Sequence, residues 1–138
     1  ELEKGAPEKF MQSLCENVLH YYNLAHYALP YLKITKGNIV NIYAKVTGTG
    51  QENASGYAPS KGAVNALTRE WAVELLPYKI RVNCVVPAEV RTLQYESKRI
   101  TTSEEIAAMV VFLLSEKSSH TTGQIIYMDG EYAHLTGN

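Results

Sequence analysis

The sequence lacks the features that would place a protein in a membrane or on nucleic acid. No stretch of the 138 residues reaches the roughly 18 consecutive apolar residues of a membrane-spanning helix. With 13 basic and 14 acidic residues the formal net charge is -1, which gives no reason to expect nucleic acid or an anionic membrane as a partner. The first residues show no basic stretch followed by an apolar run, so we expect no signal peptide and a cytoplasmic protein.

Cysteine is scarce. Cys15 and Cys84 are the only two, they form no CxxC pair, and the four histidines show no metal-ligand spacing. We therefore expect no metal site, and two small buried thiols in a reducing cytosol.

What is present fits an ordinary globular protein. Hydrophobic residues make up 46% of the chain and charged residues 20%. No internal repeat is visible, and the length fits a single domain over residues 1–138 that can bury a core without disulfides.

Hydrophobic spacing, Gly and Pro predict alternating helices and strands. Thr102 and Glu105 fit a capping box at the start of the third helix. The predicted elements are helix 8–32 with Pro30 near its end, strand Asn38–Ile42, a loop over 45–56, helix 58–76, strand Ile80–Val86, a helix from Thr102 to about residue 115, and strand Gln124–Met128.

This order sets the fold class. Strands that are separated by helices need crossover connections, which pair the strands in parallel. Three such strands with flanking helices predict an α/β fold that corresponds to one half of a doubly wound parallel, Rossmann-type sheet.

One pair of residues could carry chemistry. Tyr57 and Lys61 are four residues apart at the start of the second long helix, so they share a face. A free tyrosine has a pKa near 10, and a nearby positive charge favours the phenolate. Such a phenol can take a proton from an alcohol. With 10 tyrosines in the chain, an ordinary surface pair is the alternative.

The surroundings of this pair resemble the short-chain dehydrogenase/reductase family. The stretch from Gly56 to Val64 is similar to the family's YxxSK helix, and Arg81-Val-Asn-Cys-Val-Val-Pro87 to its RVN-x-V-x-P strand. Gly37 to Ile42 resembles the family's fifth strand. The stretch from Ser103 to Leu114, with Thr122-Gly123-Gln124 and Asp129-Gly130, resembles the C-terminal helix and strand, so the resemblance runs from about Phe10 to Leu135.

The resemblance implies an oxidoreductase that uses NAD or NADP. Tyr57 would be the acid/base, and Lys61 would assist it and hydrogen-bond the nicotinamide ribose. Asn17, thirteen residues before Pro30, would hold a water in a proton relay, or else be a polar residue on the helix surface. The remaining cofactor-binding residues implied by the resemblance, at and after the end of the RVN strand, are Pro87, Val90 and Thr92.

Three further segments resemble sugar-oxidising members of the family, of the L-fucose dehydrogenase type. These segments are Pro87-Ala-Glu-Val90, the run Ser118 to Gln124, and the tail Tyr132-Ala-His-Leu135. They imply a secondary alcohol or sugar as the small-molecule substrate. Glu89 could accept hydrogen bonds from sugar hydroxyls, with a plain turn residue as the alternative. The long helices 8–32 and 58–76 commonly pack against a partner subunit in this family, which implies a homo-oligomer, a dimer or a tetramer.

Three departures from the family pattern stand beside the resemblance. Ala44 occupies the position of the family's serine, thirteen residues before Tyr57, and neither Thr47 nor Ser55 has that spacing. The chain holds no TGxxxGxG cofactor loop, so the resemblance covers the C-terminal half of the family's fold and leaves NAD or NADP unspecified. The substrate lid between Tyr95 and Thr101 is short. A catalytically impaired oligomerisation or binding module is therefore the alternative to an enzyme.

Overall fold

The computed structural model of the chain describes residues 2–43, 55–87 and 101–128. Within these ranges helices and strands alternate in the predicted order. The elements are α1 (Pro7–Thr35), β1 (Asn38–Ile42), α2 (Tyr57–Glu74), a 3-10 turn (Leu76–Tyr78), β2 (Arg81–Pro87), α3 (Ser103–Leu114), a second 3-10 turn (Glu116–Ser118) and β3 (Ile125–Met128).

The three described strands form one parallel sheet in the order β1-β2-β3. The β1–β2 register runs from Asn38 opposite Arg81 to Ile42 opposite Val85. β3 pairs with the second half of β2, ending with Pro87 opposite Met128. The predicted parallel sheet of a half Rossmann-type fold is confirmed.

The helices cover both faces of this sheet. The Asn41 side chain donates to Thr68 Oγ1 of α2 at 2.9 Å, whereas the Asn38 side chain donates to the Leu114 carbonyl of α3 at 3.2 Å. These two asparagines are three residues apart on one strand, so their side chains point to opposite faces. α2 and α3 therefore lie on opposite sides of the sheet, with α1 packed beside α2.

The core lies between β2 and α2. Residues 82 to 86 of β2 are all buried, as expected for a strand with a neighbour on each side and helices on each face. One cluster joins Trp71 of α2, and Leu75 just after the helix, to Val82, and a second joins Val64 to Cys84 and Val86. These contacts fix the helix that begins at Tyr57.

The bounds of α1 and α2 differ from the prediction by one to three residues. α1 continues past Pro30, which lies on an exposed position inside it, to Thr35. It stops where Lys36 adopts a left-handed conformation, φ 52°, and the N–H groups of Lys36 and Gly37 both donate to the Leu32 carbonyl. The expected end at residue 32, shortly after Pro30, came too early because a single proline removes only one helix hydrogen bond, and this C-terminal motif ends the helix at Thr35.

α2 begins one residue earlier than predicted, at Tyr57, and ends at Glu74. The chain then turns through the 3-10 segment that contains Pro77. Leu76, the last residue of the predicted helix, lies in this turn and is 62% exposed.

The capping box that starts α3 is confirmed. The Glu105 N–H donates to Thr102 Oγ1 at 3.2 Å, and the Thr102 N–H donates to the Glu105 carboxylate at 3.0 Å. Each side chain thus satisfies a donor that the helix itself leaves free.

The two cysteines have different surroundings. Cys84 is buried in the centre of β2, as expected, but Cys15 is exposed on α1, so the prediction of two buried thiols was wrong for Cys15. Burial raises the pKa of the Cys84 thiol to about 12, against a smaller opposing effect of a hydrogen bond with Thr68.

Two features are absent from the described ranges. No helix there combines the length and the apolar character needed to cross a membrane. Nor do residues 2–43, 55–87 and 101–128 contain a group of three His, Cys, Asp or Glu side chains that could hold a metal ion.

Candidate active site

The start of α2 presents the predicted Tyr57–Lys61 pair on one helix face. Tyr57 is the first helical residue and is 36% exposed, so its ring is open to a ligand. Lys61, one turn later, is only 8% exposed, and its Nζ lies 4.9 Å from the centroid of the Tyr57 ring. The helix thus holds an ammonium group against an accessible phenol.

Ser60 fixes the first turn of α2. It is completely buried, and its hydroxyl donates to the Tyr57 backbone carbonyl at 2.6 Å. No side chain caps the start of α2 at Gly56. The Ser60 hydrogen bond within the first turn therefore stabilises the backbone that carries the Tyr57 phenol.

A buried polar contact ties α2 to β1 below this turn. Asn41 of β1 donates to Thr68 Oγ1 at 2.9 Å, and Thr68 Oγ1 donates to the Val64 carbonyl at 2.8 Å. Asn41 and Thr68 are both buried, so breaking the contact would leave unsatisfied polar groups in the core. The helix therefore has a fixed place on the sheet, and so has the Tyr57–Lys61 face.

Asn17 lies on the part of α1 that faces the start of α2. It is half-buried, and its Nδ2 donates to the Ser13 carbonyl at 2.8 Å. Ser13 in turn lies beside Gly56, since a Cβ placed on Gly56 would be 3.4 Å from both Ser13 Cβ and Oγ. The structure thus brings the Ser13–Asn17 turn next to the residue that precedes Tyr57.

A residue that the sequence did not single out for chemistry, Tyr21, also lies at this site. Its hydroxyl donates to the Ile42 carbonyl at the end of β1. Burial is the main cause that raises the pKa of Tyr21, and the charges of Cys84 and Tyr57 raise it further. The only feature of the sequence that points to Tyr21 is that it lies four residues after Asn17, on the same face of the helix.

The RVN motif has a structural role. The Arg81 guanidinium donates to the carbonyls of Leu113, Ser115 and Thr121, at 2.8, 3.0 and 3.3 Å, and to a serine hydroxyl at 3.0 Å. These carbonyls lie at and after the end of α3, where the helix leaves acceptors unpaired. Arg81 therefore joins β2 to the segment between α3 and β3.

Asn83 continues this link. Its Nδ2 donates to the Thr121 carbonyl at 2.8 Å, and its Oδ1 accepts from the Gln124 N–H at 3.1 Å. The motif therefore sets the position of β3, and it leaves Pro87 half-buried at the carboxyl end of β2.

Several predicted site residues lie outside the described ranges. They are Ala44, Thr47, Glu89, Val90 and Thr92, together with the short segment between Tyr95 and Thr101. Ser55, a possible substitute for the serine, is exposed in the turn before α2.

The described residues fit one end of a nicotinamide cofactor. In the ranges that the structure describes, the Lys61 ammonium lies against the Tyr57 ring, on a side chain that is 8% exposed. An ammonium has three N–H donors, and ribose hydroxyls supply acceptors for them. In parallel sheets, ligands bind beyond the carboxyl ends of the strands.

Comparisons with known proteins agree with this geometry. Residues 1–132 match the family described as enoyl-(acyl carrier protein) reductase. L-Fucose dehydrogenase of Rattus norvegicus is 34% identical over 149 aligned residues, which cover 93% of this chain and 55% of the rat protein. The aligned length exceeds the 138 residues of this chain, so the rat protein carries additional residues within the matched region.

Two solved structures are similar over almost the whole chain. Cj0485 dehydrogenase superposes with a TM-score of 0.89 at 39% identity, covering 98% of this chain and 60% of that one. The 3-ketoacyl-(acyl-carrier-protein) reductase from Brucella melitensis, complexed with NADH, gives a TM-score of 0.81 at 27% identity, over 95% of this chain and 60% of that one. The chain thus spans little more than half the length of these relatives.

Proposed function

Because this chain belongs to the short-chain dehydrogenase/reductase family, we propose that it carries the acid/base site of an NAD(P)-dependent oxidoreductase that acts on a secondary alcohol or a sugar hydroxyl. The observation that carries the proposal is the pair at the start of α2, an accessible Tyr57 phenol with the nearly buried Lys61 ammonium against its ring. The matched relatives are named dehydrogenases and reductases, which supports the same class of reaction.

The proposed role of Tyr57 is proton transfer. As the carbinol C–H bond breaks and its hydride is transferred, the alcohol O–H proton passes to the Tyr57 phenolate and a carbonyl forms. In the reverse direction the phenol returns this proton to the carbonyl oxygen. The nicotinamide cofactor, when bound, supplies the hydride acceptor or donor.

Lys61 has two proposed roles. Its positive charge, held against the Tyr57 ring, would stabilise the negative charge that develops on the phenol oxygen during proton transfer, and its N–H donors would bind the ribose of the cofactor. Asn17, held in the turn beside Gly56, would support the proton relay that ends at this ammonium. Pro87, Val90 and Thr92 would seat the nicotinamide carboxamide.

The substrate class rests on similarity. The rat relative is an L-fucose dehydrogenase, and we propose a sugar or a related secondary alcohol, with Glu89 accepting hydrogen bonds from its hydroxyls. We also propose that the protein is cytoplasmic and forms a homo-oligomer. The oligomer is supported by apolar side chains on α1 such as Leu24, Tyr27 and Ile34, which are 70%, 73% and 81% exposed.

Cofactor binding tests the proposal even while the substrate is unidentified. NAD+ and NADP+ are titrated separately against the purified protein, and binding heat is measured by calorimetry. We expect saturable binding of one of them, weakened about tenfold or more in Lys61→Met, because the variant keeps the side-chain length and loses the donors. The exposed Lys36→Met, at the end of α1, is the matched control and should bind like wild type.

The alternative is a catalytically impaired oligomerisation or binding module. Ala44 in place of the family's serine, and the exposed apolar residues of α1, favour it. Gel filtration combined with the same titration separates the two. A stable oligomer that binds neither nicotinamide cofactor supports the module and contradicts the oxidoreductase.

A further inference from the structure

The first turn of α2 is anchored in the protein by a single serine. Of its four residues, Tyr57 and Pro59 are exposed and Ala58 is half-buried. Ser60, in contrast, is completely buried. The residue before the helix, Gly56, provides no side-chain cap. Because uncapped helix ends fray and open at a low cost in free energy, the place of Tyr57 depends on this serine more than on its own packing.

Ser60 is joined directly to the residue that we propose as the acid/base. Its hydroxyl donates to the Tyr57 backbone carbonyl at 2.6 Å. In an α-helix the same carbonyl also accepts from the N–H group four residues later, which belongs to Lys61. A buried hydroxyl that loses its acceptor is costly, so the Ser60 bond favours the closed form of the turn.

The closed turn is what brings the phenol to the ammonium. Tyr57 and Lys61 share a face only while the residues between them are helical. In the closed turn the Lys61 Nζ lies 4.9 Å from the centroid of the Tyr57 ring. Lys61 is itself 8% exposed, at the point where α2 begins to pack on the core. Opening of the first turn would therefore move the phenol away while the ammonium kept its place.

We infer that Ser60 is a positioning residue for the Tyr57 acid/base, because its hydroxyl keeps the first turn of α2 closed and the phenol beside Lys61. The inference rests on the proposed function. Ser60 is completely buried, so its effect passes through the Tyr57 backbone and not through a contact with substrate or cofactor. It should therefore act on the chemical step and leave cofactor binding by Lys61 intact.

Ser60→Ala tests the inference, because it removes the hydroxyl and keeps the rest of the turn. We expect kcat to fall about three- to tenfold, the effect of one neutral hydrogen bond, with the cofactor Kd within about twofold of wild type. Rates are expressed per cofactor-binding molecule, so that unfolded protein does not imitate the effect.

Ser118→Ala is the matched control. Ser118 is 2% exposed and its hydroxyl also bonds to backbone carbonyls, but it lies in the 3-10 turn between α3 and β3. The control variant should lose stability, as expected for a buried serine, and keep the wild-type kcat.

Amide hydrogen exchange measures the opening of the turn without any substrate. The Lys61 N–H has the Tyr57 carbonyl as its helical acceptor, so its exchange reports on the first turn. We expect this amide to exchange about three- to tenfold faster in Ser60→Ala than in wild type, and at the wild-type rate in Ser118→Ala.

The outcomes separate this inference from the proposed function. Wild-type kcat in Ser60→Ala, or an equal fall in Ser118→Ala, overturns the positioning role while the oxidoreductase stands. A loss that is entirely in cofactor Kd, or an unchanged exchange rate at Lys61, also overturns it. Absence of turnover in the wild type, with every cofactor and alcohol tried, instead contradicts the proposed function.

Discussion

Replacement of Arg81 by methionine should destabilise the protein by about 2–4 kcal/mol. The guanidinium makes four hydrogen bonds of 2.8–3.3 Å, three of them to backbone carbonyls at and after the end of α3. A hydrogen bond with one charged partner contributes about 1.5–3 kcal/mol, and bonds from a single group do not add fully. Methionine keeps most of the apolar stem but donates nothing, so these carbonyls lose their charged donor and keep only the neutral donors Asn83 Nδ2 and Ser118.

Urea unfolding followed by circular dichroism measures this loss directly. The whole free energy of unfolding of a domain is about 5–15 kcal/mol, so the shift in midpoint should be large. Arg69→Met is the control, because Arg69 is exposed on α2. This change should alter the free energy of unfolding by no more than about 0.5 kcal/mol. If Arg81→Met costs no more than Arg69→Met, the structural role assigned to the RVN motif is wrong.

Three further outcomes follow from the buried thiol and the serine position. Ellman's reagent should modify Cys15 quickly and Cys84 only after unfolding, and two fast thiols would contradict the burial of β2. Because the Cys84 pKa is raised from 9.0 to about 12 in the folded protein, its contribution to stability is complete below pH 9. The free energy of unfolding should then fall as the pH rises from 9 towards 12, less steeply in Cys84→Ala, and equal slopes would refute this. Ala44→Ser should raise kcat by up to about 10²–10³ by supplying a donor to the substrate oxygen, whereas the exposed Ala66→Ser should change nothing.

The sequence predicted most of the architecture because its signals are local. The capping residues Thr102 and Glu105 and the apolar run in β2 each specify their element without long-range help. The end of α1 was missed because Pro30 is a strong helix-breaking signal, while the left-handed turn at Lys36 has no glycine at that residue to announce it.

The candidate site was predictable in part. The four-residue spacing of Tyr57 and Lys61 places them on one helix face whatever the rest of the fold does. The link from Tyr21 to Ile42 joins residues 21 positions apart, and the Arg81 bonds span 32 to 40 positions. Such contacts depend on how helices pack on the sheet, which periodicity alone does not specify. For the same reason the exposure of Cys15 was missed, since it follows from the face that α1 turns away from α2.

The acid/base role of Tyr57 is tested most directly by the turnover of Tyr57→Phe. Wild type, Tyr57→Phe and the control Tyr31→Phe, whose ring is 71% exposed on α1, are assayed with a panel of sugars and secondary alcohols and both oxidised nicotinamide cofactors. The formation of reduced cofactor is recorded. General acid/base catalysis contributes about 10²–10⁴ to a rate, so Tyr57→Phe should lose at least about 10² in kcat while Tyr31→Phe keeps the wild-type value. Wild-type kcat in Tyr57→Phe would contradict the account.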